Sequence, residues 1–245
     1  MHIEMAKIFS DIPILAFDFR KNQSLSEIEP INCKSLLLKL NTLTIYRPLS
    51  EDFGGMCLKK DPRTFILINS SHSRGKQHYT IAHELYHLFC QKDFKPHICN
   101  PGNAVGADEN EKRANAFAAE LLMPEMGLKK MIPIAELDKN EISISTLLRL
   151  ENYFSVSHSA LLIRLKSIRL IRDKQYEYFM SLKIKQTAKE YGFGLSLYEP
   201  GNEGVVIGDY GIKAKNLFSD NKISESHYYE LMNYIGFDPT SETNE

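Results

Sequence analysis

The sequence predicts an α+β fold, and three observations lead to this prediction. Two strand-like segments, "GGMCLKK" and "RTFILIN", are separated only by the turn residues "KDP", which favours a short antiparallel pair. Apolar residues recur at helical spacing from Gln77 onward and again after Ser143. With 43% hydrophobic and 25% charged residues, the composition is that of a globular protein, and 245 residues are enough for one large domain or two modest ones.

Charge and targeting signals exclude several classes of protein. A net charge of -1 gives no overall attraction to nucleic acid or to an anionic membrane. No apolar run approaches the roughly 18 residues that a membrane span needs. The first twenty residues scatter acids and a proline among their apolar residues, so we predict no signal peptide. The four cysteines are then expected to be reduced thiols and the protein cytoplasmic.

The N-terminal half is predicted element by element. "CKSLLLKLNTLTIYRPL" indicates a helix that leads into a strand at Leu43–Tyr46, and the strand pair follows. The helix that starts near Gln77 is followed by a loop at residues 92–108, which holds two prolines and two glycines. A second helix, "ENEKRANAFAAELLM", should stop before Pro124, since proline has no N–H to continue it.

The C-terminal half changes character twice. "ISTLLRLENYF" and "HSALLIRLKSIRLI" predict two helices joined by "SVS", with Ser157 as N-cap, which resembles a helix-turn-helix unit. A glycine-rich stretch and a final helix, "ISESHYYELMNYIGFD", then suggest a small α/β module. We therefore predict a first domain at 1–135, a helix-turn-helix-like module at 136–175 and a C-terminal module at 176–245.

The segment "YTIAHELYHLFC" carries the chemistry. On a helix, His83 and His87 lie one turn apart on the same face, so both imidazoles can reach one zinc ion. Glu84 is offset from the metal and can take a proton from its bound water. The competing interpretation is an amphipathic helix whose histidines merely face solvent.

A catalytic zinc site needs a third protein ligand, and the following helix is the best source. Glu111 and Glu120 are nine residues apart, about 900° around a helix at 100° per residue, so they point to opposite sides. Glu111 shares its face with Asn115 and Ala118, and alanines keep this helix thin enough for close approach. We predict Glu111 as the third ligand.

These motifs resemble the ImmA/IrrE family of zinc metallopeptidases. "HYTIAHELYHLF", "EKRANAFAAELLMP" and "YFSVSHSALLIRL" follow the family's AHExxH, ExxAN-x-FAAELLMP and F-x-VS-x-x-AL-x-x-RL patterns over roughly residues 36–172. Two departures are Tyr86, where the family usually has glycine, and "SIRLI" in place of LGLI.

The resemblance implies a zincin-like, gluzincin-type core: a small antiparallel sheet packed on the HExxH helix and the glutamate-bearing helix. It also implies zinc ligation by His83, His87 and Glu111, with Glu84 as the catalytic acid/base. The implied substrate is a specific protein, such as a helix-turn-helix repressor of a mobile element or stress response. The donor that would stabilise the oxyanion stays open among Tyr86, Tyr153 and His158.

Two other functions compete with proteolysis. The protein could sequester a repressor in a zinc-dependent manner without cutting it. It could also bind DNA through the helix-turn-helix-like module, where basic residues cluster at Arg164, Lys166, Arg169, Arg172 and Lys174. We favour a structural role for that module, since the chain as a whole is not basic.

Overall fold

A computed structural model describes residues 9–94, 97–99 and 109–237, with the backbone alone at 97–99. The described residues fold into twelve α-helices, one short 3-10 helix at Ser196–Tyr198 and five strands. The strands are β1 Thr42–Arg47, β2 Gly55–Lys60, β3 Arg63–Asn69, β4 His97–Cys99 and β5 Val206–Ile207. The helices are α1 Ile12–Asn22, α2 Cys33–Lys39, α3 Arg74–Phe89, α4 Glu109–Leu122, α5 Glu125–Met131, α6 Ile134–Leu137, α7 Ile144–Phe154, α8 His158–Ser167, α9 Asp173–Met180, α10 Ile184–Glu190, α11 Tyr210–Ser219 and α12 Glu225–Tyr234.

The sheet has the order β4-β2-β3-β1-β5, and it is mixed. The predicted β2–β3 hairpin is confirmed, with Cys57 opposite Ile66. The prediction of an antiparallel sheet is wrong for one pair, because β1 runs parallel to β3. The hairpin occupies one edge of β3 and leaves only the other edge for β1. The loop at 48–54 reverses the chain, so β1 is antiparallel to β2 and therefore parallel to β3.

The segment after α3 differs from the predicted loop. Residues 97–99 form β4, which pairs antiparallel with β2 and extends the sheet by one edge strand. Residues 95–96 and 100–108, which make up most of the predicted loop, lie outside the described residues.

Helix α3 is central to the fold, because it packs against β2 and β3 and also against α4. It begins at Arg74, three residues before the predicted start, because Ser73 caps it by accepting a hydrogen bond from the Lys76 N–H. Gly75 allows the turn before α8 to approach closely, since a Cβ there would lie 2.7 Å from the backbone nitrogen of Ser157. Every residue of α3 from Thr80 to Leu88 is buried.

The two predicted helices of the C-terminal half are present as α7 and α8. Ser155 ends α7 in the left-handed region at φ 54°, and Ser157 caps α8 through the Ala160 N–H. Helix α8 ends at Ser167, earlier than predicted. The main hydrophobic core draws side chains from Ile12 to Ile207, so all three predicted segments contribute to it. The domain boundaries at 135 and 175 stay predictions.

Strand β5 pairs with β1, so the predicted C-terminal module contributes an edge strand to the sheet of the first domain. None of the helices in the described ranges combines the length and the apolar character that a membrane crossing requires.

Candidate metal centre

Three of the predicted site residues converge between α3 and α4. The Nε2 atoms of His83 and His87 lie 3.1 Å apart. Each of these nitrogens lies 3.3 Å from one carboxylate oxygen of Glu111. Both histidines are buried, whereas 21% of the Glu111 side chain is exposed. Within the described residues, this is a group of donor atoms that could hold a metal ion.

The separations fit the donor set that a divalent ion requires. Ligand atoms at 2.0–2.1 Å from a tetrahedral zinc ion lie about 3.3–3.4 Å from one another. The 3.1 Å separation of the two Nε2 atoms is close to that edge length, and each Nε2 lies 3.3 Å from a different oxygen of Glu111, Oε2 for His83 and Oε1 for His87. Two imidazole nitrogens that both present lone pairs would repel each other at this distance, and a shared cation removes that repulsion. The residues present therefore fit a metal ion.

The outer ring nitrogens of both histidines face amide oxygens. The Nδ1 of His83 lies 3.0 Å from Oδ1 of Asn115, and the Nδ1 of His87 donates in the same way to Oε1 of Gln91. An amide oxygen can only accept, so each Nδ1 carries the proton and each Nε2 presents its lone pair to the centre. Hydrogen bonds of this kind orient histidine ligands in metal sites.

Glu84 lies beside this group and is fully buried. Neither of its carboxylate oxygens accepts a hydrogen bond of good geometry in the described part of the chain, and the Cys57 thiol on β2 is a weak donor next to it. Burial raises the pKa of the Cys57 thiol on β2, and the nearby charge of Glu84 raises it further, so this cysteine stays neutral beside the carboxylate. A buried carboxylate that accepts at most a weak thiol hydrogen bond is costly for folding, and such groups cluster at functional sites.

Helices α3 and α4 approach closely because α4 is thin where they meet. Ala114 and Ala118 are fully buried in this contact. The hydroxyl of Tyr79 on α3 donates to the backbone carbonyl of Asn115 at 2.8 Å. As the helical geometry predicted, Glu120 points away from this contact, and its carboxylate pairs with Arg164.

The three residues considered for oxyanion stabilisation lie in different surroundings. The ring of Tyr86 contacts His87, and its hydroxyl accepts a hydrogen bond from Arg113. The hydroxyl of Tyr153 donates to Glu29. Both ring nitrogens of His158 bind elsewhere, one to Glu151 and the other to the carbonyl of Phe179. Of the three, Tyr86 is the residue that contacts a predicted ligand.

Sequence reasoning missed several residues that support the site. It placed Asn115 on the face of Glu111 without giving it a role, and it overlooked Gln91 and Arg113. Their signal is the spacing: Asn115 follows Glu111 by one helical turn, and Gln91 follows His87 by the same interval. Arg113 carried no such signal, because its partners come from other segments of the chain.

Two imidazoles and a carboxylate on a pair of packed helices form the His₂Glu donor set known from zinc peptidases. The family model Peptidase_M78, described as the IrrE N-terminal-like domain, matches residues 39–166, more than half of the chain. The chain belongs to this family of metallopeptidases, which confirms the resemblance found in the sequence. A search of curated proteins returned no match.

Proposed function

We propose that this protein is a zinc-dependent endopeptidase that cleaves a specific protein partner, namely a helix-turn-helix transcriptional repressor. Membership in the family supports peptidase activity. The observation that carries the proposal is the convergence of two histidine nitrogens and the Glu111 carboxylate within 3.3 Å of one another, with the buried carboxyl of Glu84 next to His83 on the same helix.

Each residue has a distinct role in the proposed reaction. His83, His87 and Glu111 hold the metal, and Asn115 keeps the His83 lone pair directed at it. When bound, zinc supplies Lewis acidity and lowers the pKa of a coordinated water. Glu84 would accept a proton from the attacking water as the water oxygen bonds to the peptide carbonyl carbon, and would deliver that proton to the amine nitrogen as the C–N bond breaks. Its carboxylate is available for this role because its neighbour, the Cys57 thiol, is only a weak hydrogen-bond donor.

The surroundings of the site support a selective peptidase. The two imidazoles are almost completely buried, and only the Glu111 side of the group is partly exposed. A site with so little exposure accepts an extended segment only when the partner presents it in the right orientation. We therefore expect little activity on generic peptides and efficient cleavage of one protein. The family resemblance implies that this protein substrate is a repressor.

DNA binding by α7 and α8 is less well supported. Arg164 is buried and forms paired hydrogen bonds with Glu120, so its guanidinium is not free to contact phosphates. Lys166 pairs with Asp173, and Arg172 lies 3.5 Å from Glu141. Acidic partners thus offset much of the basic cluster, and electrostatic attraction to a duplex is correspondingly weak.

Substituting Glu84→Gln distinguishes cleavage from sequestration. The variant keeps all three proposed ligands, so it should bind zinc as the wild type does and fail to cut a candidate repressor. Zinc content and cleavage are measured on the same purified samples. Glu177→Gln, an exposed glutamate on α9, is the matched control and should cut normally.

If the Glu84→Gln variant inactivated the repressor as completely as the wild type does, the peptidase proposal would be refuted and sequestration favoured. Wild-type protein that never takes up zinc would refute the metal site itself. A duplex-DNA shift at low salt that weakens steeply as salt rises would instead favour the DNA-binding function.

A further inference from the structure

Helix α1 precedes the family-matched range and lies along α4. Three contacts connect the two helices: Asp11 with Arg113, Phe19 with Phe117, and Arg20 with the carbonyl of Leu121. The partners in the two polar pairs are 102 and 101 residues apart in sequence. Because this separation is nearly constant from one end of α1 to the other, the two helices run in the same direction. Ile12, Ala16 and Phe19 are buried in the main core. Helix α1 is therefore a packed support for the helix that carries Glu111.

Arg113 joins three helices at one point. Its Nη2 pairs with the Asp11 carboxylate, just before α1, and its Nε donates to the Tyr86 hydroxyl on α3 at 3.0 Å. The hydrogen bond from Arg113 lowers the pKa of Asp11, which keeps that carboxylate charged. Arg113 itself lies on α4, two residues after Glu111. The start of α1 is thus connected through one guanidinium to the helix that bears His83 and His87.

Tyr86 packs directly on a proposed ligand. Its ring meets the His87 ring edge-on, with centroids 5.5 Å apart and planes at 79°. On its other side it contacts Phe117 at 5.7 Å. With 3% exposure, Tyr86 has little room to leave that position.

These contacts restrain how α3 and α4 are rotated relative to each other. The proposed ligands come from both helices, so a small rotation changes the distances among the three donor atoms. Tyr79 ties α3 to the backbone of Asn115, and Tyr86 ties it to Arg113. On α3 the two tied tyrosines are seven residues apart, about two helical turns, and His83 lies between them. Together the two ties hold the three donor atoms near the spacing that a metal needs.

We infer that Tyr86 is a positioning residue for His87, and that the Asp11–Arg113 pair couples the N-terminal helix to the metal affinity of the site. The inference rests on the proposed function only in that it takes His87 as a metal ligand. Tyr86 stands where the family pattern usually has glycine, a residue that offers neither a hydroxyl to Arg113 nor a ring to His87.

The test is made in the full-length protein with two substitutions, Tyr86→Phe and Asp11→Asn. Zinc affinity is measured by competition with a chromophoric chelator, and ligand geometry by the visible absorption of the cobalt-loaded protein. We expect each substitution to weaken zinc binding about threefold to tenfold, somewhat less than the loss of a direct partner of a ligand. We also expect Tyr86→Phe to alter the cobalt bands. Because both substitutions act through Arg113, the fold-loss of zinc affinity in the double variant should be smaller than the product of the fold-losses in the two single variants.

Tyr153→Phe is the matched control, because it also removes a tyrosine hydroxyl that is bonded to a carboxylate, that of Glu29. In the described residues, Tyr153 forms no hydrogen bond or ring contact with a proposed ligand. It should leave zinc affinity and cobalt bands unchanged. The unfolding midpoint of each metal-free variant is recorded, so that loss of affinity can be compared with loss of stability.

Wild-type affinity and an unchanged cobalt spectrum in Tyr86→Phe would overturn the inference and leave the proposed function intact. An equal loss of affinity in Tyr153→Phe would also overturn it, because the effect would then follow from general destabilisation. A wild-type protein that binds neither zinc nor cobalt would instead overturn the proposed function on which the inference rests.

Discussion

Oδ1 of Asn115 lies 3.0 Å from Nδ1 of His83, on the side of the ring opposite Glu111. Asn115 and Glu111 are one turn apart on α4, so a single helix face supplies both a proposed ligand and the group that orients another ligand. The hydrogen bond selects the tautomer whose Nε2 can donate its lone pair.

Replacing Asn115 with alanine should therefore weaken metal binding. Without an acceptor at Nδ1, His83 can rotate or change tautomer, and we expect zinc affinity to fall about 10–100-fold. Chelator competition measures the change. Asn216→Ala, on the exposed face of α11, is the control and should bind zinc as the wild type does. Unaltered affinity in Asn115→Ala would contradict the orienting role.

Glu84→Gln should stabilise the metal-free protein. The carboxylate is buried beside the weakly donating Cys57 thiol, and a neutral amide costs less to bury than a charge. We expect a gain of about 1–2 kcal/mol in the free energy of unfolding, with cleavage lost. Urea denaturation in the presence of chelator measures it, with Glu177→Gln as the exposed counterpart. A destabilised Glu84→Gln would mean that the carboxylate is satisfied in solution.

Removing the metal should lower thermal stability. A ligand that binds only the folded state at a thousand times its Kd contributes about 4 kcal/mol, so chelation should lower the melting temperature by several degrees. The effect should be absent in His83→Ala, which lacks one of the proposed ligands. If that variant lost as much stability on chelation as the wild type, the metal would be bound elsewhere.

His158 should make stability depend on pH. Burial lowers the pKa of His158, but the hydrogen bond and the charge of Glu151 outweigh it and leave this pKa above its ordinary value of 6.5. The folded protein thus holds the proton more tightly, so the stabilisation is complete below about pH 6.5 and is lost as pH rises through the folded-state pKa. The stability difference between wild type and His158→Gln should shrink from acidic to alkaline pH.

Chemical denaturation at a series of pH values measures this difference. His227→Gln, on α12 and outside the two main core clusters, is the control. A difference between wild type and His158→Gln that grows with pH would reverse the predicted sign and reject the protonated pair.

Arg164→Ala should destabilise the fold strongly. Arg164 is buried, its guanidinium forms two hydrogen bonds with Glu120 at 2.7 and 2.6 Å, and its Nε donates to the carbonyl of Met123. Removing the guanidinium leaves the partly buried Glu120 carboxylate and the buried Met123 carbonyl without this donor, and we expect a loss of about 2–3 kcal/mol in the free energy of unfolding. Lys166→Ala, which breaks an exposed pair with Asp173, should leave the free energy of unfolding almost unchanged. If both variants lost a similar amount of unfolding free energy, the proposed structural role of the Arg164–Glu120 pair would be contradicted.

The sequence by itself determined the local features of the site. The four-residue interval places His83 and His87 on one helix face, and the nine-residue interval separates Glu111 from Glu120, because the geometry of a single helix fixes both relations. The start of α8 and the end of α4 likewise follow from Ser157 and Pro124, whose backbone preferences act within one turn.

Only the tertiary structure decided the relations between distant segments. The parallel pairing of β1 with β3, the entry of β5 into the sheet and the packing of α1 along α4 depend on which surfaces remain free after other elements have paired. Helix α1 was not predicted, although Pro13 in its first turn and the spacing of Ile12, Ala16 and Phe19 are helical signals. The partners of Arg113 could not be predicted from the sequence. Asp11 and Tyr86 lie in other segments, which only tertiary packing brings next to it.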